Sequence, residues 1–380
     1  MADDRAIRVC LVGPSLDVPG GQAVQAARLS RGLSEHPAIT LTFVPINPRL
    51  PGPLRLLQRV RYVRTVVTAV RYVGALINNI MGCDVVHVFS ASYWSFVLST
   101  VPVVALARWF RKPVIVNYRS GEAEDHLRRW RRTALPTLRR ATAVVVPSGY
   151  LRELFARVGI DAQIVPNLID VGRFHFRERQ PLRPVFLSNR HLERDYNVAC
   201  VLRAFAHIQR HYPAARLIVV GDGSQRRALQ RLAAELRLDH TEFVGRVAPE
   251  RMVGHLDAAD VYLNAPDVDN MPSSILEAFA SGLAVVTTDA GGIPHIVRHG
   301  ETGLIVPRGA DEAMAAAALR LFREPALAGR LAATALEECR RRYAPAVVLA
   351  AWVRVYEGLA RREPRLAVRD EHPVSASSGR

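Results

Sequence analysis

Short apolar runs alternate with helix-length segments along nearly the whole chain, in two rounds. The first round holds Ile7–Pro14 (IRVCLVGP), Ile39–Ile46, Asp84–Ser90, Pro113–Tyr118 and Thr142–Ser148. The second restarts near Pro184 with PVFLSNR, which ends at Arg190. It continues through Arg216–Gly223, Thr241–Val247, VYLNAP, AVVTTDAGG and Gly303–Pro307. These runs are rich in Val, Ile and Leu on successive residues, the pattern of strands covered on both faces. Helical spacing fills the gaps, at about Ala23–Leu33, Leu54–Ile80, Tyr196–His211, Gln225–Leu236, Pro249–Ala258, Asp311–Arg323 and Ala344–Arg361. Such alternation predicts an α/β fold with a doubly wound parallel sheet, twice over. At 380 residues there is room for two such domains. In open sheets of this kind ligands bind beyond the carboxyl ends of the strands. The residues that follow each run are therefore the ones to read for function.

The richest such place is Asn264–Val297, NAPDVDNMPSSILEAFASGLAVVTTDAGGIPHIV. A loop with Asp269, Asn270, Met271 and Pro272 leads to a helix predicted to start at Ser273 or Ser274 and to end by Gly282. Serine is a good N-cap, and glycine commonly stands just past a helix end. Glu277 lies on this helix, eight residues after Asp269. Free N–H groups at the helix start suit a phosphate. Ser274 and Glu277 also fit a capping box, S-x-x-E, and that structural account stands beside the functional one. After the first strand, Gly20 and Gly21 let the backbone pass close to a ligand, or serve an ordinary turn. They do not form a G-x-G-x-x-G fingerprint. The third and fourth strands carry His87 and the run Arg119-Ser120-Gly121-Glu122 at their ends.

The formal net charge is +16, and Lys112 is the only lysine. Nucleic acid or an anionic membrane surface could use such charge. No zinc finger, basic zipper or RNA-binding aromatic signature is present, so nucleic acid is not expected. Leu54–Ile80 carries Arg55, Arg59, Arg61, Arg64 and Arg71 and no acid. It reads either as an amphipathic helix lying on a bilayer or as a helix packed on the sheet with its arginines in solvent. His126–Arg140 is a second basic patch, with Trp130 as an interfacial anchor. No run of about 18 uncharged apolar residues predicts a membrane span. The polar start MADDRAIRVCLVG lacks signal-peptide form, and the four scattered cysteines have no metal-ligand spacing. The expected location is cytoplasmic, as a peripheral protein on the inner membrane face.

The ordered features of Asn264–Val297 resemble the donor-site signature of glycosyltransferase family 4. Glu277-Ala278 and the later Gly291-Gly292 turn stand in its order and spacing. Asp269 stands where the family's first Glu usually stands, His295 where many members have Glu, and Ala284 where many have Pro. Gly20-Gly21, Pro166-Asn167, Asp170, Phe174 and Gly221-Asp222-Gly223 match further family positions, so the likeness runs from Ile7 to about Arg361. It implies a GT-B fold, with a Rossmann-like acceptor domain at 1–180 and a Rossmann-like donor domain at 181–343. A helix at 344–363 would cross back to the first domain, and a disordered tail is expected at 364–380.

The resemblance also implies a retaining, metal-independent transferase with no cofactor. It would take a nucleotide-diphosphate sugar and a glycan or lipid-linked acceptor. Arg190 would stabilise the departing diphosphate, Glu277 would hold ribose hydroxyls, and Asp269 would hold hydroxyls of the transferred sugar. Gly20, Gly21, Gly221, Val244, Gly245, Asn270, Met271, Pro272, Ser273 and Ser274 would line the donor site. His87, Arg119 and Glu122 would face the acceptor. The family's second cation, a Lys before Gly, is replaced by Tyr196-Asn197. Either Arg194 turns inward to supply the charge, which is the reading adopted, or Tyr196 donates a neutral hydrogen bond. A catalytically lapsed nucleotide-sugar binder and a nucleotide-sugar epimerase are the alternative functions.

Overall fold

The computed structural model describes residues 5–16, 20–48 and 61–361, with backbone only for 61–66. The start of the basic helix at 54–60, with Arg55 and Arg59, and the tail at 364–380 lie outside the described residues. The first sheet contains β1 (Ile7–Gly13), β2 (Ile39–Pro45), β3 (Val85–Ser90), β4 (Val114–Tyr118), β5 (Ala143–Val146) and β6 (Ala162–Ile164). The second contains β7 (Val185–Asn189), β8 (Arg216–Val220), β9 (Thr241–Gly245), β10 (Val261–Asn264), β11 (Ala284–Thr288) and β12 (Leu304–Val306). Their orders are β2-β1-β3-β4-β5-β6 and β12-β11-β10-β7-β8-β9, parallel throughout.

The helices of the first half are α1 (Gly21–Ser34), α2 (Arg61–Ile80), α3 (Tyr93–Ser95), α4 (Val101–Trp109), α5 (Ala123–Arg129), α6 (Arg131–Arg140) and α7 (Gly149–Arg157). A π-turn at Phe96–Thr100 joins α3 to α4, so one helical rod runs from Tyr93 to Trp109. The second half has α8 (Val198–His211), α9 (Arg226–Glu235), α10 (Pro249–Ala258), α11 (Ser273–Ser281), α12 (Asp311–Arg323), α13 (Pro325–Glu338) and α14 (Pro345–Ala360). The rod at 93–109, the edge strand β6 and helix α13 lie outside the elements predicted from the sequence.

Strand order reverses between β1 and β3 in one sheet and between β7 and β10 in the other. Such switch points open a crevice at the strand ends, because the flanking connections leave toward opposite faces. Gly20 and Gly21 follow β1, Arg190 follows β7, and the Asp269 loop follows β10. The topology therefore collects these distant residues at two crevices.

Residue parity decides which face a strand side chain meets. In the first sheet, Val86 and Val88 enter one core with Val114 and Val116. Val85 and Phe89 enter the other, with Val348, Trp352 and Tyr356 of α14. Helix α14 thus crosses back onto the first sheet. His87 shares the parity of Val85 and Phe89, so it is buried under α14. Its Nδ1 bonds Tyr356 Oη at 2.7 Å, its Nε2 bonds Asn117 Nδ2 at 3.0 Å, and its ring stacks on Trp352 with centroids 4.3 Å apart. This corrects the expectation that His87 faces an acceptor. It sits mid-strand, and its periodicity belongs to the core.

Burial pushes the His87 pKa down to about 3, with Arg119 acting in the same direction. Burial also pushes His126 down to about 4, against the opposing charge of Asp125. Both folded-state values lie below the unfolded value of about 6.5. The unfolded chain therefore binds more protons as pH falls below about 6.5, and stability is lost from there toward pH 4. Urea midpoints should be lower at about pH 5 than at about pH 7, and His126→Gln should shrink that difference.

Candidate active site

Arg190 leaves β7 at the second switch point and is nearly enclosed. Its Nη1 donates to Ser274 Oγ at 3.0 Å, and its Nη2 donates to Asp269 Oδ2. The guanidinium lies 4.2 Å from the centre of the Tyr196 ring. Burial works against its charge, but Asp269, Tyr262 and Tyr196 outweigh burial and raise its pKa. The Nε atom is buried without a hydrogen-bond partner among the described residues. Three separate segments, at β7, after β10 and at the start of α11, thus meet on one cation.

Helix α11 starts at Ser273 after Pro272, and no side chain caps it. The serine N-cap expected from sequence is therefore not formed. The capping box is absent too, because Ser274 serves Arg190 and Glu277 pairs with Arg28 of α1 at 2.9 Å. A helix start without a side-chain cap suits an anion.

Two glycine turns brace this arrangement by close backbone approach. A Cβ on Gly221 would stand 1.9 Å from the Arg190 carbonyl oxygen, and one on Gly291 would stand 2.0 Å from that of Asp269. No other residue permits such contacts. Gly221 N–H donates to Gly245 O at 2.9 Å, and Arg226 Nη2 to Phe243 O at 3.2 Å. Val244 is half-buried between them, whereas Gly20 and Gly21 face open space. The Gly-Asp-Gly and Gly-Gly turns therefore hold Arg190 and the Asp269 loop in place.

The two halves meet across the cleft. Gln25 of α1 donates to Ser273 Oγ at 2.9 Å, Asn167 Nδ2 donates to Met271 O at 2.7 Å, and Ser148 Oγ donates to Asn270 Oδ1. Gly121 packs on Asp269, where an added Cβ would be 3.4 Å from its Cα. Arg119 donates to Asn117 Oδ1 at 3.3 Å and lies over the Phe89 ring. Burial lowers its pKa to about 9, which leaves it cationic near neutral pH. Glu122 is exposed, and burial together with Asp195 and Asp125 raises its pKa. The structure thus brings the Arg119–Glu122 loop to the donor loop and leaves His87 behind.

Sequence reasoning missed Gln25 and Arg28. They lie three residues apart on α1, one helical turn, but only the tertiary fold reveals what they face. Arg194 also departs from expectation. It is exposed and does not join Arg190, whereas Tyr196 does. The short 3-10 turn Arg194–Tyr196, closed by Asn197 in the left-handed region, swings the tyrosine inward instead.

Family models match in two adjoining blocks, Glycosyltransferase Family 4 over residues 19–173 and Glycosyl transferases group 1 over residues 173–338. The chain belongs to glycosyltransferase family 4. This family 4 enzyme is 24% identical over 377 residues to a phosphatidyl-myo-inositol mannosyltransferase of Mycobacterium leprae, covering 93% of this chain and 97% of that one. It is 29% identical over 307 residues to a glycogen synthase of Mycobacterium tuberculosis, covering 75% and 72%. Its fold is that of Anabaena Alr3699/HepE in complex with UDP and glucose, with a TM-score of 0.72, 17% identity and coverage of 93% and 100%. The sucrose-phosphate synthase of Thermosynechococcus elongatus has the same fold, with a TM-score of 0.73, 20% identity and coverage of 93% and 99%. Both are GT-B architectures, and two six-stranded parallel sheets facing across a cleft match them.

Tyr196 and Arg194 can be separated by experiment. A cation–π contact is worth about 0.5–2 kcal/mol, so Tyr196→Ala should weaken nucleoside-diphosphate binding about two- to thirtyfold. Arg194→Ala should change it by less than about twofold, as for other solvated surface residues. Titration calorimetry reads both, and Tyr196→Phe separates the ring from its hydroxyl.

Proposed function

We propose that this glycosyltransferase moves a sugar from a nucleoside-diphosphate sugar, with retention at the anomeric carbon and without a metal ion, to a glycan or lipid-linked acceptor. Arg190, held against Ser274 at the uncapped start of α11, is the observation that carries the reading. Cleaving the bond from the sugar to the diphosphate leaves negative charge on the nucleotide and positive character on the ring. Arg190 and the first N–H groups of α11 meet the leaving charge, and Asp269 beside them offers a carboxylate to the sugar hydroxyls. Relatives named for mannosyl transfer and a neighbour bound to UDP and glucose support a nucleotide-sugar donor.

Nucleotide sugars that are donors should raise the melting temperature, because a ligand that binds only the folded state stabilises it. Arg190→Ala should lower turnover about a hundred- to a thousandfold. Turnover that persists in chelator, with the donor's anomeric configuration kept in the product by NMR, is the expected result. Turnover abolished by chelator or an inverted product would reject the corresponding part of the reading.

A lipid-linked acceptor is supported by the surface of the first half and by the lipid named in one relative's activity. Trp94, Leu98 and Trp109 are exposed on the rod at 93–109, with Trp94 edge-on to Trp130 at 5.0 Å. Exposed Arg108, Arg111, Arg131 and Arg132 flank them. Aromatic anchors beside arginines suit the interface of an anionic bilayer, which supports reading the enzyme as peripheral at the cytoplasmic face. No described helix is long and apolar enough to cross a membrane. Co-sedimentation with phosphatidylglycerol vesicles should be strong at low salt and lost near 1 M salt, where screening reaches about 3 Å. Trp94→Ala with Trp109→Ala should weaken it, and absence of low-salt binding would reject this placement.

A further inference from the structure

Glu277 already has a partner from the other half of the molecule. Its Oε1 accepts from Arg28 Nη2 at 2.9 Å, with side chains only 14% and 11% exposed. Arg28 is itself held, because its Nη1 donates to Leu168 O at 3.5 Å. One turn earlier, Gln25 clamps the same residue with both ends of its amide. Gln25 Nε2 donates to Leu168 O, and Leu168 N donates to Gln25 Oε1, each at 3.1 Å. Gln25 also reaches Ser273, one turn before Glu277 on α11. The pairing is monodentate, made through Glu277 Oε1 alone. The stronger, two-pronged Arg–carboxylate geometry is not formed. Here the second prong is turned to Leu168.

We propose that Arg28 is a positioning residue for the ribose of the donor. It balances the charge of an almost enclosed carboxylate, whose burial alone would be costly. It also fixes the Glu277 rotamer so that Oε2 accepts from a ribose hydroxyl. The inference rests on the nucleotide-sugar reading and adds to it a residue from the opposite domain. Since the grip comes from α1, the ribose contact and the approach of the two domains are coupled. The Gly20-Gly21 turn opens that same helix.

The test is calorimetric titration of the full chain with UDP and GDP and with their 2′,3′-dideoxy counterparts. A hydrogen bond to a charged group contributes enough that Arg28→Gln should weaken the ribonucleotide at least about tenfold. The dideoxy form, which lacks the hydroxyls, should change by less than about twofold, and Arg28→Lys should recover part of the loss. Equal loss on both forms would make Arg28 a structural strut and overturn the proposal. Tighter ribonucleotide binding by Arg28→Gln would make it a lock and also overturn it. Unchanged binding in Arg28→Gln would sink this inference alone. Wild-type protein that binds neither UDP nor GDP would instead sink the nucleotide reading and this inference with it.

Discussion

Helix α11 is gripped from two sides, and the geometry of the site depends on that grip. From its own domain Arg190 holds Ser274, and from the other domain Gln25 and Arg28 hold Ser273 and Glu277. The helix is otherwise hydrophobic and buried, with Ile275, Leu276, Ala278 and Phe279 in the core. Its position is therefore set by packing, while its polar face is set by three donors. Two cations meet two carboxylates there, Arg190 with Asp269 and Arg28 with Glu277. Charges this enclosed are tolerable because each is paired and hydrogen-bonded.

Backbone proximity makes the grip rigid. Arg190 projects from a turn whose carbonyl is approached by Gly221, and Asp269 from a loop approached by Gly291. Side chains at those positions would force the loops apart. The acidic loop is tied across the cleft as well, through Asn270 to Ser148 and Met271 to Asn167. Rigid placement of groups that meet developing charge is what electrostatic catalysis requires, because no reorganisation is then needed during the reaction.

Much of the fold was legible in the chain. Continuous Val and Ile runs such as Val114–Val116 and Val144–Val146 predict covered parallel strands, and they are. Other elements left weaker marks. The rod at 93–109 begins with Tyr and Trp and contains Pro102 and a π-turn, so its helical period is blurred. Strand β6 is three residues long and two of them are exposed, too little for an apolar pattern. At the site, Asp269, Ser274 and Glu277 were legible together because their order and spacing resemble the family 4 donor signature, and Arg190 because it ends the first strand of the second half.

What the sequence determined by itself was periodicity and order: two doubly wound sheets, and a helix beginning near Ser273 below an acidic loop. Those follow from local patterns of apolar residues and turn chemistry. Partner choice was decided only by the tertiary structure. Ser274 and Glu277 satisfy a capping box on paper, yet each takes an arginine from far along the chain, 84 and 249 residues away. His87 stands on a central strand of the first sheet, yet its parity puts it beneath α14. Arg194 has the charge that the family resemblance implies, yet the turn that closes at Asn197 presents Tyr196 to Arg190 instead. In each case several local contacts were chemically possible, and long-range packing selected one.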